Sequence, residues 1–261
     1  MPSAADTLAP LIELREVDKR FGDGLQALSG VSLTVAPGEF ISLIGPSGCG
    51  KSTVLRLVAG LDDPSAGTVD APARQPGGNA ATAFVFQDAT LMPWASLFDN
   101  VWLPLRLTGM PRNMAAPRVR DVLARVGLAA FERAFPHELS GGMKMRSSIA
   151  RALVTQPRVL LMDEPFAALD DITRQRLNAD LLQWWQQQRM SAIFVTHSVA
   201  EAVFLSQRVL VMSARPGRIV AELRVDAPYP RGPEWRHSTA FVQAGRELAI
   251  ALEAASFEAA R

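Results

Sequence analysis

The eight residues Gly45-Pro46-Ser47-Gly48-Cys49-Gly50-Lys51-Ser52 constrain this chain more than any other stretch. They fit G-x-x-x-x-G-K-S/T, and their flanks fit as well. The apolar run Phe40–Ile44 leads into the first glycine, a helical pattern runs from Ser52 to Ala59, and Gly60 is placed to cap it. A buried strand, a glycine-rich turn and a helix make a cradle for phosphate. The glycines let successive backbone N–H groups turn inward, and the helix start adds the positive end of its dipole. Lys51 brings a compact cation to β- and γ-phosphates, a position that a planar guanidinium fits poorly. Ser52 offers its hydroxyl to Mg²⁺.

Lysine at that position is a choice. Of 27 basic residues only Lys19, Lys51 and Lys144 are lysines, and the other 24 are arginines. Cys49 lies inside the loop with no histidine nearby in sequence to serve as its base, so it reads as a small loop residue and not a nucleophile. As the only cysteine it excludes an intrachain disulfide and fits a reducing compartment. The 26 acidic residues leave a net charge of +1, which gives no overall electrostatic footprint for nucleic acid. No apolar run approaches the roughly 18 residues of a membrane span. Met1–Pro10 carries Asp6 and no Lys or Arg ahead of an apolar stretch, unlike a secretory signal.

Strand and helix patterns alternate along the chain. Leu11–Val17 is strand-like, Val31, Leu33 and Val35 alternate with Ser32 and Thr34, and Gly67 to Phe86 reads as strand and turn broken by Pro76-Gly77-Gly78. Ser96-Leu97-Phe98-Asp99 has capping-box spacing, and Val119, Val122, Leu123 and Val126 form one apolar helical face. Val159–Met162, Ile193–Val195 and Val209–Met212 are further buried-strand candidates, with a short helical stretch around Ala200–Leu205. Leu177, Leu181, Trp184 and Trp185 make a helical stripe; nothing basic interleaves with the tryptophans, so they read as packing. The alternation predicts a parallel α/β core carrying an N-terminal β section and a helical insertion near residues 95–150.

A second chemical signal closes one of those strands. Val159-Leu160-Leu161-Met162-Asp163-Glu164 sets two carboxylates where open α/β sheets bind their ligands. Asp163 is suited to hold Mg²⁺, directly or through water, and Glu164 to polarise an attacking water. Ser140-Gly141-Gly142 begins a helix with residue types favoured there and precedes the apolar pattern Ile149, Ala152, Leu153. That is a second helix start suited to an anion.

With these motifs the sequence resembles the ATP-binding cassette (ABC) family over nearly its whole length. Leu139-Ser140-Gly141-Gly142-Met143 is similar to the family's signature motif, with Met143 where glutamine is usual; the phosphate-facing Ser140 and Gly142 are intact. Phe21 resembles the aromatic that stacks on adenine, Gln87 the Q-loop glutamine, Leu169-Asp170 the D-loop and His197 the switch histidine. His137 and His237 match no motif and read as structural or surface residues.

The resemblance implies an α/β fold: a P-loop NTPase (RecA-like) core with an antiparallel β subdomain and an inserted helical subdomain. Residues 11–94 and 151–225 would form the β subdomain and nucleotide-binding core, 95–150 the helical subdomain with the signature motif, and 226–261 a C-terminal tail. ATP and Mg²⁺ are the implied cofactors. The nucleotide would contact Phe21, Gly45, Pro46, Ser47, Gly48, Cys49, Gly50, Lys51, Ser52, Thr53, Ser140, Gly141, Gly142 and Asp170. The metal would fall to Ser52, Gln87 and Asp163, and hydrolysis to Glu164, His197 and Gln87.

In the family ATP is sandwiched between two chains, each signature motif meeting its partner's γ-phosphate, and the pair docks on integral membrane permease subunits served by a substrate-binding protein. The implied place is the cytoplasmic face of the membrane, and no nucleic acid is implied. Leu91-Met92-Pro93-Trp94 lies where the family docks, either exposed for that purpose or packed. Thr196-His197-Ser198-Val199-Ala200-Glu201-Ala202 resembles importers, and the runs Asp163–Asp170 and Met212–Gly217 resemble the nitrate/sulfonate/taurine branch. Import of another small solute, such as a thiamine-precursor pyrimidine, stays open. A non-transport ATPase acting on DNA or ribosomes is the more distant alternative; those typically carry long coiled-coil insertions or tandem cassettes, and this chain has neither.

Overall fold

The computed structural model describes residues 9–22, 24–75 and 81–257; residues 1–8 and the Pro76-Gly77-Gly78 turn lie outside them. The first half contains β1 (Ile12–Arg20), β2 (Gln26–Val35), β3 (Phe40–Ile44), α1 (Lys51–Val58), β4 (Ala66–Asp70) and β5 (Thr82–Val85). Helices α2 (Leu97–Leu107), α3 (Arg112–Arg125) and α4 (Gly141–Leu153) follow. The chain then runs through β6 (Val159–Asp163), α5 (Asp171–Gln188), β7 (Ser191–Val195), α6 (Val199–Leu205) and β8 (Arg208–Met212). It closes with β9 (Ile219–Arg224) and α7 (Thr239–Phe257).

Two sheets result. One has three antiparallel strands in the order β2-β1-β4, and the other six in the order β5-β6-β7-β3-β8-β9. The first five strands of the larger sheet are parallel and β9 is antiparallel to β8. The continuous apolar runs fall on the central strands, where both faces are covered; β3 and β7 are buried at every residue.

Alternate residues sort the core into layers. Ile41, Leu43, Leu161, Ile193 and Val195 pack with α1 and the three-stranded sheet. Phe40, Leu160, Met162, Ala192 and Phe194 face the opposite way, against α2 to α5. Each such side chain contributes roughly 1.5–3 kcal/mol by leaving water. Trp184 and Trp185 belong to this second layer, and Trp185 meets Phe40 edge-on at 5.6 Å, so the pair is packing, as the absence of interleaved basic residues suggests.

The helical insertion holds α2, α3 and the start of α4, which runs past residue 150 to Leu153. Ser96 caps α2 by accepting the Asp99 amide at 3.1 Å, while its hydroxyl donates to the Asp99 carboxylate at 2.6 Å; the carboxylate thus meets the cap's side chain and not its backbone. The last residues form a third layer: Leu248 and Ala255 of α7 pack with Val203 of α6 and with Ile44, Val209 and Val211. Arg231 fastens this segment. Its buried guanidinium donates to the carbonyls of Val203, Phe204, Ser206, Val225 and Ala227 and lies between the rings of Tyr229 and Trp235, at 4.2 and 4.6 Å.

Candidate nucleotide site

Sheet register places the chemical residues. Val195 of β7 pairs with Leu43 of β3 on one side and with Asp163 of β6 on the other. The phosphate loop, Glu164 and His197 therefore leave the sheet within two residues of one rung, at its carboxyl edge. On the far side of β6, Val85 pairs with Met162, so Gln87 leaves one strand further along.

The phosphate loop is held in shape by its own lysine. Lys51 is buried, and its Nζ donates to the carbonyls of Gly45 and Pro46 at 2.8 and 2.9 Å. Gly50 adopts φ +102°, and a Cβ there would lie 2.6 Å from Leu28 Cδ2, so both conformation and space demand glycine. Burial pushes the Cys49 thiol up, against the opposing pull of Lys51, which disfavours the thiolate and suits a packing residue. Beside the loop is a cavity of about 270 Å³, lined by Phe21, Ser47, Lys51, Ser52, Thr53 and Glu164 among others.

Phe21 lines that cavity, with Lys19 over its ring at 5.2 Å. Lys19 itself is an anchor: it pairs with Asp62 and donates to the Asp63 carbonyl at 2.7 Å. Ser52, in the same lining, donates from Oγ to Asp163 Oδ1 at 3.0 Å. Burial raises the Asp163 carboxyl above its ordinary range, the Ser52 hydrogen bond pulls it down, and the charge of Glu164 adds to the rise. A hydroxyl and a carboxylate at this spacing form a hard oxygen pair that fits Mg²⁺, which binds through one or two protein oxygens plus phosphate and water. Among the described residues no group of three or more His, Cys, Asp or Glu could form an all-protein metal cage.

Glu164 carries backbone strain. Its φ is +46°, uncommon outside glycine, and its N–H donates to the Val195 carbonyl at 3.0 Å, so β7 holds it in that turn. Its Oε2 lies 3.3 Å from Nδ1 of His197. A carboxylate and an imidazole thus meet where Glu164 lines the cavity.

The remaining expected residues stand elsewhere. Ser140 caps α4, its Oγ accepting the Met143 amide at 3.3 Å, and Met143 packs on the core. Asp170 caps α5 by accepting the Thr173 amide at 3.0 Å, which holds its carboxyl below the usual range. Gly141 and Gly142 lie against Leu169 and Thr173, so these two helix starts adjoin each other. Neither they nor the exposed Gln87 line the phosphate cavity of their own chain.

Sequence reasoning missed Arg151. From α4 it donates to the Thr90 carbonyl at 2.8 Å, the Ala89 carbonyl at 3.0 Å and Thr90 Oγ1 at 2.8 Å, fixing the turn beyond Gln87. An arginine bonding to carbonyls of an irregular turn leaves no periodic trace.

Residues 28–167, more than half the chain, match the family described as ABC transporter. The chain belongs to the ABC transporter family. The aliphatic sulfonates import ATP-binding protein of Nocardia farcinica is 46% identical over 241 residues, 92% of this cassette and 93% of that protein. The nitrate import ATP-binding protein of a Synechocystis strain is 46% identical over 203 residues, 77% of this cassette and 76% of that protein. Among solved structures, a dimeric ATP-binding cassette in a post-hydrolysis state with ADP and phosphate matches with a TM-score of 0.73 and 29% identity. It spans 83% of this cassette and all of that chain.

Proposed function

We propose that this cassette is the ATP-binding and ATP-hydrolysing subunit that energises import of a small solute, of the nitrate, sulfonate or taurine class, through a separate membrane permease. The observation that carries the reading is the shared rung: Lys51, Ser52, Asp163, Glu164 and His197 converge where strands β3, β7 and β6 end together. The import names of relatives 46% identical support the solute class.

Each residue has a distinct role there. Lys51 leaves the Gly45 and Pro46 carbonyls for phosphate oxygens, and the loop amides hold the β-phosphate. Ser52 and Asp163 would hold Mg²⁺, which neutralises charge on the β- and γ-phosphates when bound. Glu164 takes the proton of the attacking water, and His197 orients Glu164 from 3.3 Å and faces the γ-phosphate. Phe21 stacks on adenine. Gln87 senses the terminal phosphate and relays it to the permease.

Ser140, Gly141, Gly142 and Asp170 act across a two-fold dimer, which explains their distance from the cavity of their own chain. The dimeric cassette among the structural matches supports this arrangement. Trp94 is 77% exposed on a segment that Asn100 pins at the Met92 amide, 2.7 Å away, and it suits a permease contact at the cytoplasmic membrane face. Among the described residues no helix is long and apolar enough to cross a membrane, in keeping with a separate permease. The same reading divides the chain into a nucleotide-binding core with its β subdomain, a helical subdomain near residues 95–150, and the closing segment from about 226.

Steady-state ATPase assays test the assignment. Glu164→Gln is expected to lower kcat by about 10²–10⁴-fold while ATP affinity is retained. Unaltered turnover would overturn it.

A further inference from the structure

Beyond Met212 the chain turns back over the phosphate loop instead of leaving it. Gly217 ties this turn to β2, donating to the Ala27 carbonyl at 2.9 Å and accepting the Ser29 amide at 3.0 Å. It also touches the loop itself, since a Cβ at Gly217 would lie 2.0 Å from the Cys49 carbonyl oxygen. The backbone between is therefore fixed against both the loop and the three-stranded sheet.

Arg215 extends from this turn across the loop. Its Nε and Nη2 donate to the Gly48 carbonyl at 3.2 and 3.1 Å, and its side chain lines the same cavity as Phe21, Lys51, Ser52 and Glu164. A guanidinium has five N–H donors, and one neutral carbonyl takes only two of them. Among the described residues Arg215 makes no ion pair, whereas Arg74, Arg120, Arg146 and Arg208 each have a carboxylate within 4 Å. A second cation thus lines the same cavity as Lys51, and the carboxylate of Glu164 in that lining is not paired with it. Two cations against one lining carboxylate leave the cavity suited to an anion.

We infer that Arg215 is a further nucleotide ligand, donating its free N–H groups to the phosphate chain of ATP. The planar fork suits two oxygens of a polyphosphate, whereas Lys51 acts as a point charge deeper in the loop. Nothing in the phosphate-loop spacing includes it, because it lies more than 160 residues beyond the loop and arrives only through the turn after β8. The inference rests on the phosphate-loop assignment, and the test separates the two.

Calorimetry on the full chain would compare ATP affinity in the unsubstituted protein, Arg215→Gln, Arg215→Ala and Lys51→Ala. Glutamine keeps an amide donor for the Gly48 carbonyl but removes the charge. Both Arg215 variants are expected to bind ATP about three- to tenfold more weakly, with the deficit shrinking as salt is raised. Tripolyphosphate, competed against ATP, should show a similar loss. Arg215→Gln binding ATP as tightly as the unsubstituted chain, while Lys51→Ala fails to bind, would overturn the role of Arg215 and leave the loop assignment standing. Retained affinity in Lys51→Ala would overturn both. A loss seen with ATP but absent with tripolyphosphate would also contradict a phosphate contact.

Discussion

At Glu164, a carboxylate is held in a left-handed conformation by a bond from its own amide to β7, with His197 within reach of its oxygen. Such strain persists where surrounding structure over-determines it, and here the buried strand β7 does so. Two of the scarce lysines have separate roles, Lys51 shaping and serving the loop while Lys19 fixes the turn after α1 beneath Phe21. The chain's single tyrosine offers a clean measurement at this scale. Tyr229 donates to the Leu205 carbonyl at 2.8 Å, and burial pushes its phenol up to about 12 from 10.0. Between those values the unfolded chain releases a proton that the folded chain keeps, so stability is unaffected below pH 10 and falls as pH rises toward 12. Spectroscopic titration of the phenolate should show a native midpoint well above that of the urea-unfolded chain. Coincident midpoints would contradict the buried placement.

The elements differ in how openly the sequence announces them. Buried runs at β3, β6 and β7 are plain because a strand covered on both faces must be apolar throughout. The caps at Ser96 and Ser140 are equally local, since a short side chain bonds an amide three residues on. What stays hidden are ties made by single arginines to distant carbonyls: Arg151 on the turn past Gln87, Arg215 on Gly48, and Arg231 on the end of α6. None has a period or a spacing, because the carbonyls they reach are brought near only by the completed fold. Helix α7 is the largest case, for no motif or period marks the segment from 226 as part of the core, and Leu248 there is wholly buried against α6 and β8. Leu248→Ala should destabilise the chain by about 2–5 kcal/mol in denaturant titrations. A change below about 0.5 kcal/mol would mean that α7 is dispensable to the core.

Across the whole molecule the residues proposed to serve the nucleotide fall into two separate groups. Phe21, the loop and Glu164 line one cavity, with Asp163 bonded to Ser52 and His197 beside Glu164, while Ser140 to Gly142 and Asp170 share another patch, at the adjoining starts of α4 and α5. Sequence order gives both groups without saying that they stand apart, since motif spacing carries no information about which copy of the chain completes a site. The proposed site, assembled from two chains, makes the strongest demand on experiment. Chains bearing Lys51→Ala and chains bearing Ser140→Arg should each be inactive alone as ATPases. When mixed, a heterodimer pairs the intact loop of one with the intact signature helix of the other. ATPase activity should then reappear, at about a quarter of the unsubstituted level if subunits exchange freely and sites act independently. Activity no greater than the sum of the two inactive proteins would contradict the shared site.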